Sequence, residues 1–214
     1  MTVILSWNVN LFSVKSGFDI DARADTILYT IMELNPDIIC LQESSKFFNN
    51  RLTEKGYILL GAIKSHCGYT CSFVKKLIYD KIQTNNTSNI NGNYHYIFKY
   101  DDINIANFHI EPKAFNIETL DQILSRIIKK DTDKWLFIGD FNTEVSLSNT
   151  NLIDIAQNQN LTENTWTESF LINDSRKEMR YDRAITFNTN IYDLKVHRKY
   201  FGQSDHLPVS VKYV

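Results

Sequence analysis

Apolar residues run almost unbroken from Thr2 to Asn8, which predicts a buried strand. From Asp19 to Leu34 the positions Ala24, Ile27, Leu28, Ile31 and Leu34 recur at helical spacing, and Asn35-Pro36 ends that helix. Asp37 to Leu41 reads as a second buried strand, so the chain opens β-α-β. Tyr57–Leu60, Tyr69–Val74 and Leu77–Ile82 read as short strands. Gln83 to Asn93 is polar and reads as a loop, turning at Asn91-Gly92. Tyr94–Tyr100 and Ile103–Phe108 alternate like a hairpin around Asp101-Asp102. Ile117, Leu120, Ile123, Leu124, Ile127 and Ile128 mark an amphipathic helix, Trp135–Ile138 a strand, and Asn151–Gln157 a shorter helix. Tyr181–Phe187, Tyr192–Val196 and Leu207–Tyr213 supply the closing strands. Helices interleaved with many strands, some in hairpins, predict a mixed-sheet α/β sandwich in one domain over residues 1–214.

Composition narrows the function classes. With 214 residues and 43% hydrophobic content the chain can bury a substantial core. A net charge of −2 argues against a purely electrostatic nucleic-acid binder, but not against an acidic site that first takes up a cation. No apolar run approaches the roughly 20 residues that span a bilayer. The amino terminus has no basic segment followed by a small-residue cleavage site. Cys40 sits in an apolar run, and Cys67 and Cys71 lack partners for a zinc site. These features lead us to expect a protein of the cytoplasm or nucleus, working as a monomer without a membrane.

Polar residues cluster at the ends of the expected strands, where α/β folds build their sites. In order they are Asn8 and Asn10, Gln42-Glu43, His109 and Glu111, Asp140 and Asn142, Asp182, and Asp205-His206. Glu43 stands out, because a carboxylate emerging from IICLQ is costly unless paired or bound to a metal. Asn8, Asn10 and the Asp140-Phe141-Asn142 turn each have a plainer reading as turn residues.

Taken as an ordered set, strand-WN, strand-LQE, strand-xH, strand-GDxN, strand-xD and SDH-strand, the sequence resembles the endonuclease/exonuclease/phosphatase superfamily, from end to end. The resemblance implies a four-layer α/β sandwich, with two packed mixed β-sheets flanked by helices, and a Mg²⁺ site at their edge (Mn²⁺ as a substitute). It implies Glu43 as the principal metal ligand with Asn8 beside it and Asp205 in the metal shell. Asp140 would orient or deprotonate the attacking water, and Asn142 would bind phosphate or position that water. His206, oriented by Asp182, would stabilise the transition state, and His109 would contact phosphate.

Several segments resemble the 5′-tyrosyl-DNA phosphodiesterase branch: GYTCSFVKK with Tyr69, His109-Ile110-Glu111, Thr165-Trp166, and RYDRAI with Tyr181. That branch implies a 5′ nucleic-acid end as substrate, single-stranded DNA or RNA, carrying a protein or tyrosyl adduct. Tyr69, Trp166, Tyr181, Asn10 and Glu111 would read that substrate, with the aromatics stacking on bases. Three positions depart from the pattern: Asn10 replaces an Asp, Pro112 a Ser, and Thr119 an Arg. A general or apurinic-site endonuclease is the alternative activity. A lipid phosphohydrolase lacks a visible membrane-anchoring loop, and a catalytically dead binding module is at odds with the retained polar set.

Overall fold

The computed structural model describes residues 1–11, 20–90, 93–111, 119–167, 178–189, 191–200 and 203–214. Its first sheet contains β1 (Thr2–Asn8), β2 (Ile38–Ser44), β3 (Tyr57–Ser65), β4 (Gly68–Lys75), β13 (Tyr192–Val196) and β14 (Val209–Tyr213), in the order β13-β14-β1-β2-β4-β3. The second contains β5 (Ile82–Ile90), β6 (Asn93–Tyr100), β7 (Ile103–Ile110), β8 (Lys134–Asp140), β9 (Leu152–Asp154) and β12 (Asp182–Phe187), in the order β5-β6-β7-β8-β12-β9. A two-stranded ribbon joins β10 (Trp166–Thr167) to β11 (Glu178–Met179).

Each large sheet has one parallel pair at its centre. β1 and β2 are linked through α1 (Ile20–Leu34), and β7 and β8 through α3 (Leu120–Ile127). The other strand pairs within the two sheets are antiparallel. Strand alternation sorts the apolar residues into layers. Ile4, Ile38, Cys40, Ile105, Leu136 and Ile138 meet between the sheets. Leu5, Trp7, Ile39 and Leu41 point the other way, onto Ile27 and Ile31 of α1 and Phe48 of α2 (Lys46–Glu54). Phe108 and Phe137 pack against Leu120 and Leu124 of α3. The result is the expected four-layer α/β sandwich.

Local signals account for the helix ends. α1 stops where Asn35 adopts φ +49 ahead of Pro36, a left-handed cap. Thr119 and Gln122 form a reciprocal capping box on α3, so the departure at Thr119 serves the helix N-terminus.

Three segments differ from the sequence-based expectation. Lys76–Lys81 is a 3₁₀ turn, not a strand, and it leaves Leu77 88% exposed. The polar run after it continues as edge strand β5, paired only with β6, while Asn91-Gly92 lies outside the described residues. Asn151–Gln157 splits into β9 and the short helix α4 (Ile155–Asn158), because the Asp154 carboxylate caps that helix by accepting the Ala156 and Gln157 N–H groups.

Gly139 is the tightest backbone contact in the second sheet. It has φ +148 and lies opposite Phe108 across the parallel pair, where an added Cβ would sit 2.1 Å from the Phe108 carbonyl oxygen. Gly139→Ala therefore has to push β7 and β8 apart beside Asp140. We expect a loss of about 2–4 kcal/mol in urea unfolding; an unchanged midpoint would show that the pair has slack.

Candidate active site

The inner faces of the central strands change character along their length. Ile4 is followed by Ser6 and Asn8, Ile38 and Cys40 by Gln42, Ile105 by Asn107 and His109, and Ile138 by Asp140, at alternate positions. The first polar step is a buried bridge between the sheets. Gln42 Nε2 donates to Asn107 Oδ1 at 2.7 Å and to Ser6 Oγ at 3.2 Å, while Asn107 Nδ2 donates to the Cys71 carbonyl at 2.9 Å. The second step is the site.

Glu43 reaches the site through a break in the alternation. Gln42 faces inward, so a regular strand would turn Glu43 towards the helix layer. Instead the β2–β4 register shifts between Leu41 and Ser44, and Glu43 adopts φ +51. Asn10 and Asn142 also have positive φ, +44 and +49. The left-handed region is readily adopted by Asn but uncommon for Glu, so Glu43 is the unusual one of the three.

Asn8 Nδ2 donates to Glu43 Oε1 at 3.1 Å and to Asp140 Oδ2 at 2.9 Å, bridging two carboxylates. Its oxygen takes the Asn10 N–H, so here the nitrogen faces the carboxylates. Asn142 closes an Asx-turn through N–H to Asp140 Oδ1 at 2.9 Å, and its amide nitrogen donates to Asp140 Oδ2 at 3.2 Å and to the Ile110 carbonyl at 2.9 Å. The plain turn reading and the functional one thus hold together: one carboxylate oxygen closes the turn and the other faces the pocket. His109 Nε2 lies 3.5 Å from Glu43 and 3.9 Å from Asp140.

His206 also approaches Asp140, with Nε2 at 3.7 Å, and its Nδ1 is 2.8 Å from Asp182 Oδ2. Burial disfavours its charge, but the Asp182 and Asp140 carboxylates outweigh burial and push the imidazole up to about 10. Burial pushes Asp182 up to about 6 against the pull of His206, so at neutral pH both partners are ionised. His109 has only burial as its dominant influence, which lowers its pKa and keeps it neutral. Glu43 is pushed up to about 7, first by burial and also by Asp140, against the Asn8 hydrogen bond.

The remaining expected residues sit on the rim. Trp166 and Tyr181 form a tilted pair with ring centroids 5.2 Å apart, and Phe141 N–H bonds the Tyr181 carbonyl. Tyr69, half-buried, lies opposite Ser44 in the β2–β4 pair, one residue from Glu43. Glu111 meets His66 at 2.9 Å. Asn10 Nδ2 donates to Asp205 Oδ1 at 2.8 Å, so the Asn departure removes a charge clash with Asp205. Asp205 stands outside the tight Glu43–His109–Asp140 group.

Several supporting residues were given no role by the sequence reading. Thr165 Oγ1 accepts the Asp182 N–H at 2.9 Å, and Ser204 Oγ donates to the Asn8 carbonyl at 2.8 Å. Arg23 on α1 donates to the carbonyls of Val9, Asn10 and Gln203, tying together the two loops that carry Asn10 and Asp205. Of these, Thr165 and Ser204 belong to the Thr-Trp and SDH motifs, whereas nothing in the helix pattern marked Arg23.

The model of the Endonuclease/Exonuclease/phosphatase family matches residues 5–206, and the chain belongs to that family. Among solved structures it is similar to TDP2 from C. elegans, with 18% identity, TM-score 0.73, and 98% of this chain and 74% of that one covered. It is also similar to D. rerio TDP2 complexed with single strand DNA product, with 15% identity, TM-score 0.73, and 98% and 97% covered. A Bacteroides thetaiotaomicron mannosyl-6-phosphatase shares 16% identity and TM-score 0.67, with both chains covered at 100%. No curated protein matches the chain.

One ligand atom each from Glu43, His109 and Asp140 lies within 4.8 Å of the others. Two carboxylates gathered with one neutral imidazole fit a divalent cation, and a hard cation such as Mg²⁺ takes oxygen in preference to nitrogen. The residues therefore fit the metal implied by the family, with Glu43 as the principal oxygen donor.

Two outcomes follow for titration. The His206 ring should hold its charge between pH 5 and 8 by NMR, and Asp182→Asn should move its titration down, since burial is then less opposed. Because the folded value stands above the ordinary 6.5, this stabilisation is complete below about pH 6.5 and fades as pH rises through about 10. Glu43 gives the second outcome. Cation binding should weaken as pH falls below about 7 and release a proton, read by calorimetry in buffers of different ionisation heat. Glu43→Gln should abolish that proton release.

Proposed function

We propose that the chain is a single catalytic domain that hydrolyses phosphodiesters at nucleic-acid ends, with Mg²⁺ held principally by Glu43. The preferred bond joins a tyrosine to a 5′-phosphate, and its cleavage leaves a 5′-phosphorylated end. The observation that carries this reading is the placing of Asp140 between two unlike histidine–carboxylate environments. His206 is cationic through Asp182, His109 is neutral, and Asp140 is fixed by amide donors from Asn8 and Asn142.

Bound Mg²⁺ supplies positive charge beside the phosphate oxygens and offsets the repulsion between carboxylates. Asp140, its orientation fixed by three N–H donors, accepts a proton from the attacking water. The His206 imidazolium, buried and already charged, stabilises the negative oxygens that develop in the transition state. Asn142 positions the water, and His109 contacts phosphate as an uncharged donor.

The Trp166–Tyr181 pair supports a short single-stranded end as substrate, since aromatic faces stack on any base. The D. rerio structure with its single-stranded DNA product supports the same orientation towards nucleic acid. A net charge of −2 disfavours tracking along duplex, which uses many cationic phosphate contacts. In this reading the protein is an intracellular monomer. Among the described residues no helix is long and apolar enough to cross a membrane.

Purified protein should release tyrosine from a 5′-phosphotyrosyl single strand in Mg²⁺ and not in EDTA. Nicking of an abasic duplex instead, with the tyrosyl strand intact, would overturn the substrate assignment in favour of an endonuclease. Glu43→Ala, Asp140→Asn and His206→Ala should each lower kcat at least about 100-fold. Near-full activity in these variants sinks the site assignment.

A further inference from the structure

The segment RYDR, Arg180 to Arg183, serves the site through Tyr181 and Asp182, while Arg183 faces away from it. Alternation along β12 sets this. Asp182 and Ala184 point between the sheets, and Arg183 and Ile185 point outward to the layer of α3. Arg183 is fully buried, so it does not line the pocket and cannot meet a phosphate.

Its Nε donates to Asp154 Oδ2 at 2.8 Å, and the other oxygen of that carboxylate caps α4. Arg183 Nη1 donates to the Val145 carbonyl at 2.9 Å and to the Thr143 carbonyl at 3.4 Å. Its Nη2 is buried with no hydrogen-bond partner among the described residues. A buried ion pair with an unmet donor contributes little to stability, because desolvation offsets much of the attraction. What it supplies is a fixed place for two carbonyls.

Those carbonyls lie just beyond Asn142. β8 ends at Asp140, the Phe141 N–H bonds the Tyr181 carbonyl, and Asn142 turns the chain at φ +49. Both amide hydrogens of Asn142 are taken, by the Ile110 carbonyl and Asp140 Oδ2, so Oδ1 is the side-chain atom left for a water. No helix or strand then holds the chain until β9 begins at Leu152. Thr143 to Val145 is gripped instead by the two ends of RYDR. Arg183 takes its carbonyls, and the Arg180 N–H donates to Glu144 Oε1 at 2.6 Å. Glu144 is exposed, an outer clasp to match the buried one.

We infer that Arg183, with Glu144 as the outer clasp, is a positioning residue that holds Asn142 beside Asp140 for the attacking water, a role that rests on the phosphodiesterase reading. The two clasps fix the chain immediately after a left-handed residue. With them released, the turn relaxes and Asn142 Oδ1 leaves the water, while Glu43 and His206, on other elements, stay in place. The loss therefore falls on the chemical step and not on cation or substrate binding.

The test measures kcat and KM in Mg²⁺ on a 5′-phosphotyrosyl single strand, or on the p-nitrophenyl ester of thymidine 5′-phosphate should the strand resist. Mg²⁺ affinity is read by calorimetry without substrate. Arg183→Lys keeps the charge but not the fork that reaches Asp154 and both carbonyls, and should lower kcat about 10- to 30-fold. Glu144→Ala should lower kcat about threefold to fivefold, and Glu144→Gln, which keeps an oxygen acceptor, should recover most of that loss. KM and Mg²⁺ affinity should stay within about twofold of wild type throughout. In the Asn142→Ala background the same substitutions should cost less than about twofold further, since their effect passes through Asn142. Losses that multiply in that background, unchanged kcat, or a change in KM or Mg²⁺ affinity in place of kcat overturn the role while leaving the phosphodiesterase reading standing. The exposed Glu144 variants decide the matter even where Arg183→Lys does not fold. Wild type inactive on both substrates overturns the reading and the role together.

Discussion

The structure is organised by the difficulty of holding several carboxylates together inside a protein. Glu43, Asp140, Asp182 and Asp205 converge where the inner faces of two sheets run out of apolar residues. Each would be costly there alone, and their mutual repulsion adds to the cost. The surrounding groups answer this in different ways. Asp182 has a cation, His206, in direct contact. Asp140 has amide donors, and Asp205 has the Asn10 amide with Arg23 nearby. Glu43 has one amide bond and stays close to protonation at neutral pH. The least satisfied of the four is thus the one best suited to receive an external cation.

This arrangement explains why the polar layer beneath the site is neutral. Gln42, Asn107, Ser6 and Ser72 link the sheets through hydrogen bonds in a fully buried zone. A charged residue there would face the same repulsion with no route to solvent. Amides and hydroxyls instead give the sheets a fixed spacing, because such bonds hold only over a narrow range of distances. The carboxylates above inherit that spacing.

Much of this was legible in the sequence because strong periodicity and costly placement are local signals. Both β-α-β units, the hairpin at Asp101-Asp102 and the closing strands follow from apolar spacing. Glu43 stood out because nothing about IICLQ prepares for a carboxylate. The misses have physical reasons. Helix α2 buries only Phe48 and Leu52 among its apolar side chains, too few to set a period, and β5 is polar because an edge strand needs no second apolar face. In β9 the sheet claims residues whose spacing also suits a helix. The turn of Glu43 into the pocket depends on a register shift, which no pattern of residue types records. Arg23 was hidden for another reason: it ties together loops that are distant in sequence.

The two parallel pairs carry one more implication. One lies in each sheet, and each brings a strand end to the same edge: Asn8 and Glu43 from the first, His109 and Asp140 from the second. Neither half of the polypeptide therefore contains a working centre. Even the indole of Trp7 reaches across to the carbonyl of His206, 199 positions away. The centre is assembled only at the seam, so a molecule in which one sheet has formed without the other holds half a site. The geometry of the site thus reports on the docking of the whole fold rather than on either sheet alone.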